Sequence, residues 1–152
     1  LDIWQFQKVV SRRLLWWAGL NVGLGLWLQQ RRNKFWRGVA MQAISWGAIN
    51  AGIAVVGKRA TTFRLRRQDA PYARETVRKE ERNLSRALWI NAGLDVLYMI
   101  GGVALAFTRG RRDRLMRGNG WGIVVQGGFL FVFDVVHALI MSVDKEEGGE
   151  RV

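Results

Sequence analysis

Two aspartates, Asp95 and Asp134, sit inside long stretches of sequence that hold no other charged side chain. The single histidine, His137, follows Asp134 by three residues, about one helical turn. Carboxyl groups so placed can hold a proton, coordinate a cation or bond to a neighbouring helix. A histidine one turn away can relay a proton. Asn21 and Asn50 lie in comparable stretches, and Gln42 and Gln126 form a second polar pair. There is no cysteine, which excludes disulfides, thiolate metal sites and a thiol nucleophile. One histidine and two aspartates come with no nucleophile and no metal-ligand set, so the expectation is not an enzyme.

The elements that must position these groups follow from where the charges are. The chain has 152 residues, a formal charge of +12 and a mean hydropathy of −0.03. Four stretches, 14–30, 38–57, 87–108 and 118–143, contain only two of the 36 charged side chains, namely Asp95 and Asp134. A water-facing helix carries charge on its polar face at every turn or so, and these stretches do not. About 20 apolar residues cross a ~30 Å hydrocarbon core. Trp16, Trp17, Trp27, Trp36, Trp89 and Trp121 lie near the ends of the stretches, as an interfacial aromatic belt requires. The reading is an all-α bundle of four transmembrane helices in a single membrane domain. A basic loop and helix over 58–86 joins its halves, with the helix starting after Pro71 and running into the third span. The first stretch is the shortest; no small-x-small cleavage pattern follows it, so a retained helix is expected rather than a signal peptide.

The halves resemble each other. Ala18-Gly19-Leu20-Asn21-Val22 matches Ala92-Gly93-Leu94-Asp95-Val96, and Gly38, Gln42 and Asn50 match Gly122, Gln126 and Asp134. Two tandem helical hairpins in a parallel repeat are expected. Counted at about 1.5 Å per residue from the ends of the stretches, Asn21, Asn50, Asp95 and Asp134 fall roughly 10–14 Å below one surface. His137 lies one turn above that layer, and Gln42 and Gln126 lie nearer the opposite surface. An ionised aspartate at mid-bilayer costs about 2.5–3.5 kcal/mol, and no lysine or arginine within the stretches neutralises it. Each aspartate is therefore expected either protonated and hydrogen-bonded, or charged beside water or a cation. Gly19 and Gly23 form a GxxxG pair that suits close helix contact, inside the bundle or with a partner. Gly118-Asn119-Gly120-Trp121-Gly122 lacks the strand and the Lys-Ser/Thr ending of a phosphate loop, and is expected to be a loop cap entering the fourth span.

Asn91-Ala92-Gly93-Leu94-Asp95-Val96-x-Tyr98, Gly120-x-Gly122 and Gln126-Gly127-Gly128-Phe129-Leu130-x-x-Phe133-Asp134 resemble a family of small bacterial integral membrane proteins of unknown function. The spacing Trp46-x-x-x-Asn50 fits the same family. The resemblance implies a four-helix membrane fold, and brings no activity, cofactor or ligand residues with it.

The preferred expectation is a non-enzymatic accessory or scaffolding subunit of a larger membrane complex, its core locked by Asn21, Asn50, Asp95 and Asp134. One alternative is a proton- or cation-coupled channel or carrier using Asp95 and Asp134, with His137 as relay. Another is an electron-transfer or light-harvesting subunit in which His137 ligates haem or a chlorophyll-type macrocycle. No other cofactor and no metal is expected. Expected partners are anionic lipids at the basic loops and other membrane subunits or a second copy of the chain. Nucleic acid is not expected, because no soluble module is left to read it. Fifteen basic residues on the side of the termini against nine on the other lean towards cytoplasmic termini in a bacterial cytoplasmic membrane.

Overall fold

In a computed structural model the backbone is described for residues 2–149 and side chains for 2–143. The fold is a bundle of four long helices: α1 (Ile3–Gln29), α2 (Lys34–Arg67), α3 (Arg74–Phe107) and α4 (Arg114–Gly149), with a 3₁₀ turn at Arg109–Arg111. No strand occurs among the described residues. Three of the four helices start where a side chain satisfies free amides; α3, entered through Ala73, has no such cap. Asp2 accepts from the amides of Trp4 and Gln5 at 2.9 and 3.3 Å, Asn33 from that of Phe35 at 2.9 Å, and Asp113 from that of Leu115 at 2.8 Å. Pro71 lies in the turn between α2 and α3, where its missing amide breaks no helical ladder.

The helices overrun the charge-free stretches. α2 continues ten residues past Gly57, and α3 begins thirteen residues before Ala87, so most of the basic segment 58–86 is helical and only residues 68–73 form a turn. The expected start of a helix after Pro71 agrees with α3. The expected loop cap at Gly118–Gly122 does not: those residues lie inside α4. Close packing explains it. A Cβ on Gly118 would overlap the carbonyl of Phe35, and one on Gly120 would lie 2.6 Å from the carbonyl of Gly102. These contacts outweigh the ~1 kcal/mol by which a glycine disfavours a helix.

α1 packs along α2, α3 along α4, and α2 against α4, while α1 and α3 barely touch. The α1–α2 and α3–α4 connections share one end of the bundle, where Arg117 lies over the Phe35 ring. The N-terminus and the α2–α3 turn share the other, where Trp4 Nε1 donates to the Pro71 carbonyl at 3.1 Å. At that end Ile3, Trp4 and Phe6 pack with Leu88, Ala138 and Met141 into a conventional apolar core.

Between the ends the pattern inverts. The interior is small or polar (Ala18, Asn21, Ala40, Ala43, Asn50, Ala92), whereas leucines, isoleucines, valines and tryptophans face outward. Of the six tryptophans near the stretch ends, Trp17 alone turns inward, stacking on Phe129 at 3.5 Å. α2, α3 and α4 are long and apolar enough to cross a membrane; α1 is not among them.

Candidate functional site

The polar residues of the charge-free stretches lie on buried helix faces: Asn21 is 3 %, Asn50 2 %, Asp95 4 %, Asp134 7 % and His137 3 % exposed. Burial alone does not bring them together. Asn50, Asp95 and Asp134 meet around a cavity of about 180 Å³ at the junction of α2, α3 and α4. Trp46, Tyr98 and Phe133 wall it, and α1 contributes Leu14. Trp46 and Tyr98 meet edge to face at 5.1 Å, bridging helices α2 and α3 whose backbones make no extended approach. Ile49, Ile53, Asn91 and Leu94 line the same cavity and are exposed on the bundle's flank, so it opens sideways between α2 and α3.

Among the described residues two buried atoms here have no hydrogen-bond partner, Asp95 Oδ2 and Asn50 Nδ2. The amide nitrogen is the only side-chain donor of asparagine, so Asn50 donates to neither aspartate. An unsatisfied buried polar atom costs about 1–3 kcal/mol. The direct lock expected among these residues is therefore not made through Asn50. The cavity has room for several waters at about 30 Å³ each, or for a small cation.

Asn21 is not part of this cavity. Its Nδ2 donates to the Trp17 carbonyl at 2.9 Å, and its Oδ1 accepts from Gln126 Nε2. Gln126 lies eight residues from Asp134, about 12 Å along α4. The depth count fails at α1 for an identifiable reason. Arg13 reaches the level of His137, and six more uncharged residues of α4 follow His137 before the stretch ends. The uncharged stretches of α1 and α4 therefore do not end at the same level, and counts from their ends are not comparable. Gln42 and Gln126 do not pair with each other either: Gln42 Nε2 donates to Asn119 Oδ1 at 2.7 Å.

His137 is held at both ring nitrogens. Nδ1 lies 2.6 Å from the Phe133 carbonyl, which can only accept, so Nδ1 carries the proton. Nε2 then accepts from Arg13 Nη1 at 3.0 Å, and the imidazole is neutral. Neither nitrogen is available to ligate a macrocycle in this arrangement. Among the described residues no three His, Asp or Glu side chains converge as a metal site would require. Along its buried face α4 thus carries Asn119, Gln126, Asp134 and His137, a row of polar groups running from one end of the bundle towards the other.

A second polar cluster lies in the helical extensions. Gln7 Nε2 donates to Glu80 Oε2 at 3.1 Å, Thr61 Oγ1 and Arg64 Nη2 donate to Gln7 Oε1 at 2.8 and 2.9 Å, and Arg64 Nε pairs with Glu80 Oε1 at 3.2 Å. Charge-free stretches could not point to it, because it sits among charges. The signal was the stripe Val77, Glu80, Leu84, Leu88 at spacings of three and four.

A family model described as a family of unknown function, DUF6992, matches residues 13–135. This range holds every residue of the two-aspartate cavity. No curated protein and no solved structure matches the chain.

Proposed function

We propose that this chain, which belongs to the DUF6992 family of unknown function, is a four-span integral membrane protein and the ion-binding part of a proton- or cation-coupled carrier or channel. It is not an enzyme in this reading. Membrane placement is supported by three helices of spanning length and composition and by the outward-facing leucines, isoleucines and valines around a small, polar interior. α1 is read as the fourth span, a reading supported by its packing along α2. The two hairpins are read as a tandem duplication, supported by connections at the same end and by buried Asn/Asp at matching positions.

The observation that carries the ionic role is the pair of unpartnered buried atoms, Asp95 Oδ2 and Asn50 Nδ2, in one cavity with Asp134. A proton or monovalent cation shared by the two carboxyls would lower the cost of burying them, and water bound to it would take the Asn50 amide as donor. From the cavity, His137 and Arg13 lie towards one surface, and Gln126, Asn21, Gln42 and Asn119 towards the other. Asp134 to Gln126 and Gln126 to Asn119 are steps of about 10–12 Å, longer than one hydrogen bond, so transfer along the row requires bridging water.

The test is labelling by dicyclohexylcarbodiimide, an apolar reagent that adds the O–H of a protonated carboxyl across its C=N bond to give an O-acylisourea. Labelling of Asp95 or Asp134 in the folded protein, slowed by raising the pH or adding sodium or potassium ions, is expected. A folded protein in which neither aspartate reacts overturns the reading.

A second reading, an accessory subunit, is favoured by one observation. A Cβ on Gly19 or Gly23 would meet nothing within 4 Å, so the GxxxG pair of α1 faces outward and not into the bundle. Disulfide crosslinking from cysteines placed at these positions would report a partner helix or a second copy there.

A further inference from the structure

A groove of about 490 Å³ runs between α1 and α2 on the outer face of the bundle, away from the aspartates. Its rim carries four cations, Arg12 of α1 and Lys58, Arg59 and Arg66 of α2, and among the described residues no acidic one lines it. Among the described residues none of the four takes part in an ion pair. Its floor is apolar, with Leu15, Val55 and Phe63.

The groove straddles the boundary where charge begins on both helices. Leu15 and Val55 belong to the charge-free stretches; Lys58 directly follows the second of them, and Arg12 lies two residues before the start of the first. In the four-span reading that boundary is the membrane surface on the side of the N-terminus. A basic rim over an apolar floor at that level complements one class of molecule, a phosphate on a glycerol bearing acyl chains. We infer that the groove is a binding site for an anionic phospholipid. The phosphate sits among Lys58, Arg59 and Arg66, where arginine forks offer paired donors to its oxygens. One acyl chain follows Val55 and Leu15 down the bundle. The inference rests on the membrane placement but not on the cation site, so it survives if the aspartates prove inert.

Native mass spectrometry of the full chain, released from neutral detergent and titrated with phosphatidylglycerol or phosphatidylcholine of identical chains, tests it. Preferential retention of phosphatidylglycerol is expected. At about 1 kcal/mol per cation near an anionic headgroup, the Arg59→Gln/Arg66→Gln protein should bind it about 30-fold more weakly. Arg78→Gln/Arg82→Gln removes the same charge from exposed positions on α3 and should bind as the wild type does. Glycerol phosphate, a headgroup without chains, should not compete. Equal retention of the two lipids, or equal loss in both double variants, overturns the inference by reducing it to net charge. Competition by glycerol phosphate at lipid-like concentrations would make the groove a phosphate site. A lipid-free dimer abolished by Arg59→Gln/Arg66→Gln would assign it to a second copy of the chain.

Discussion

Replacing Asn50 or Asp95 with leucine should make the protein more stable, against the usual expectation for a buried residue. Each replacement removes an atom that is buried without a partner, Asn50 Nδ2 or Asp95 Oδ2. Each also places apolar volume beside a cavity of about 180 Å³ that can accept it. Relief of one such atom amounts to about 1–3 kcal/mol. Asn21→Leu is the control with opposite sign, since it breaks the bond from Gln126 Nε2 and leaves that amide wholly unpaired. Its expected loss is about 1–3 kcal/mol. Reversible unfolding by SDS titration in mixed micelles, followed by tryptophan fluorescence, measures all three. A gain from the first two and a loss from the third identify a site held open for a ligand, at a cost in stability. Destabilisation by Asn50→Leu and Asp95→Leu as large as that from Asn21→Leu would refute the reasoning and make the cavity residues a structural lock.

Gly118→Ala should sharply reduce folded yield in size-exclusion chromatography, because its new Cβ overlaps the backbone of Phe35, whereas Gly93→Ala meets nothing and should be neutral. Glu80→Ala leaves Gln7 Nε2 and Arg64 Nε without their acceptor and should cost about 1–3 kcal/mol in the same SDS titration; Glu80→Gln, which keeps an acceptor, should cost less. The nitrogen NMR shifts of His137 should show protonated Nδ1 and unprotonated Nε2, and Arg13→Gln should move the Nε2 signal most.

The fold was largely legible because a membrane span writes itself as missing charge over about 20 residues, a signal that needs no tertiary information. The same signal hid where the helices end. Residues 58–67 and 74–86 are dense in charge yet helical, since they extend α2 and α3 beyond the apolar zone. The polar layer was half legible. Asn50, Asp95 and Asp134 converge as their depths imply, but Asn21 does not: it bonds Gln126, while Arg13 of the same helix contacts His137. Side-chain reach across a helix pair is invisible to a count along each helix. Gln7 shows the same limit: only folding brings it to Thr61, Arg64 and Glu80, more than fifty residues away.

The central claim, that Asp95 and Asp134 form the ion-binding site of a cation-coupled membrane protein, is tested most directly by flux. Purified protein is sealed into liposomes containing a pH-sensitive dye, and a proton, sodium or potassium gradient is imposed. Flux above that of protein-free liposomes is expected for at least one of these ions, lost in Asp95→Asn/Asp134→Asn protein that incorporates equally and keeps its helical circular dichroism. Wild-type liposomes no leakier than empty ones to all three ions, or flux undiminished in the double variant, would contradict it.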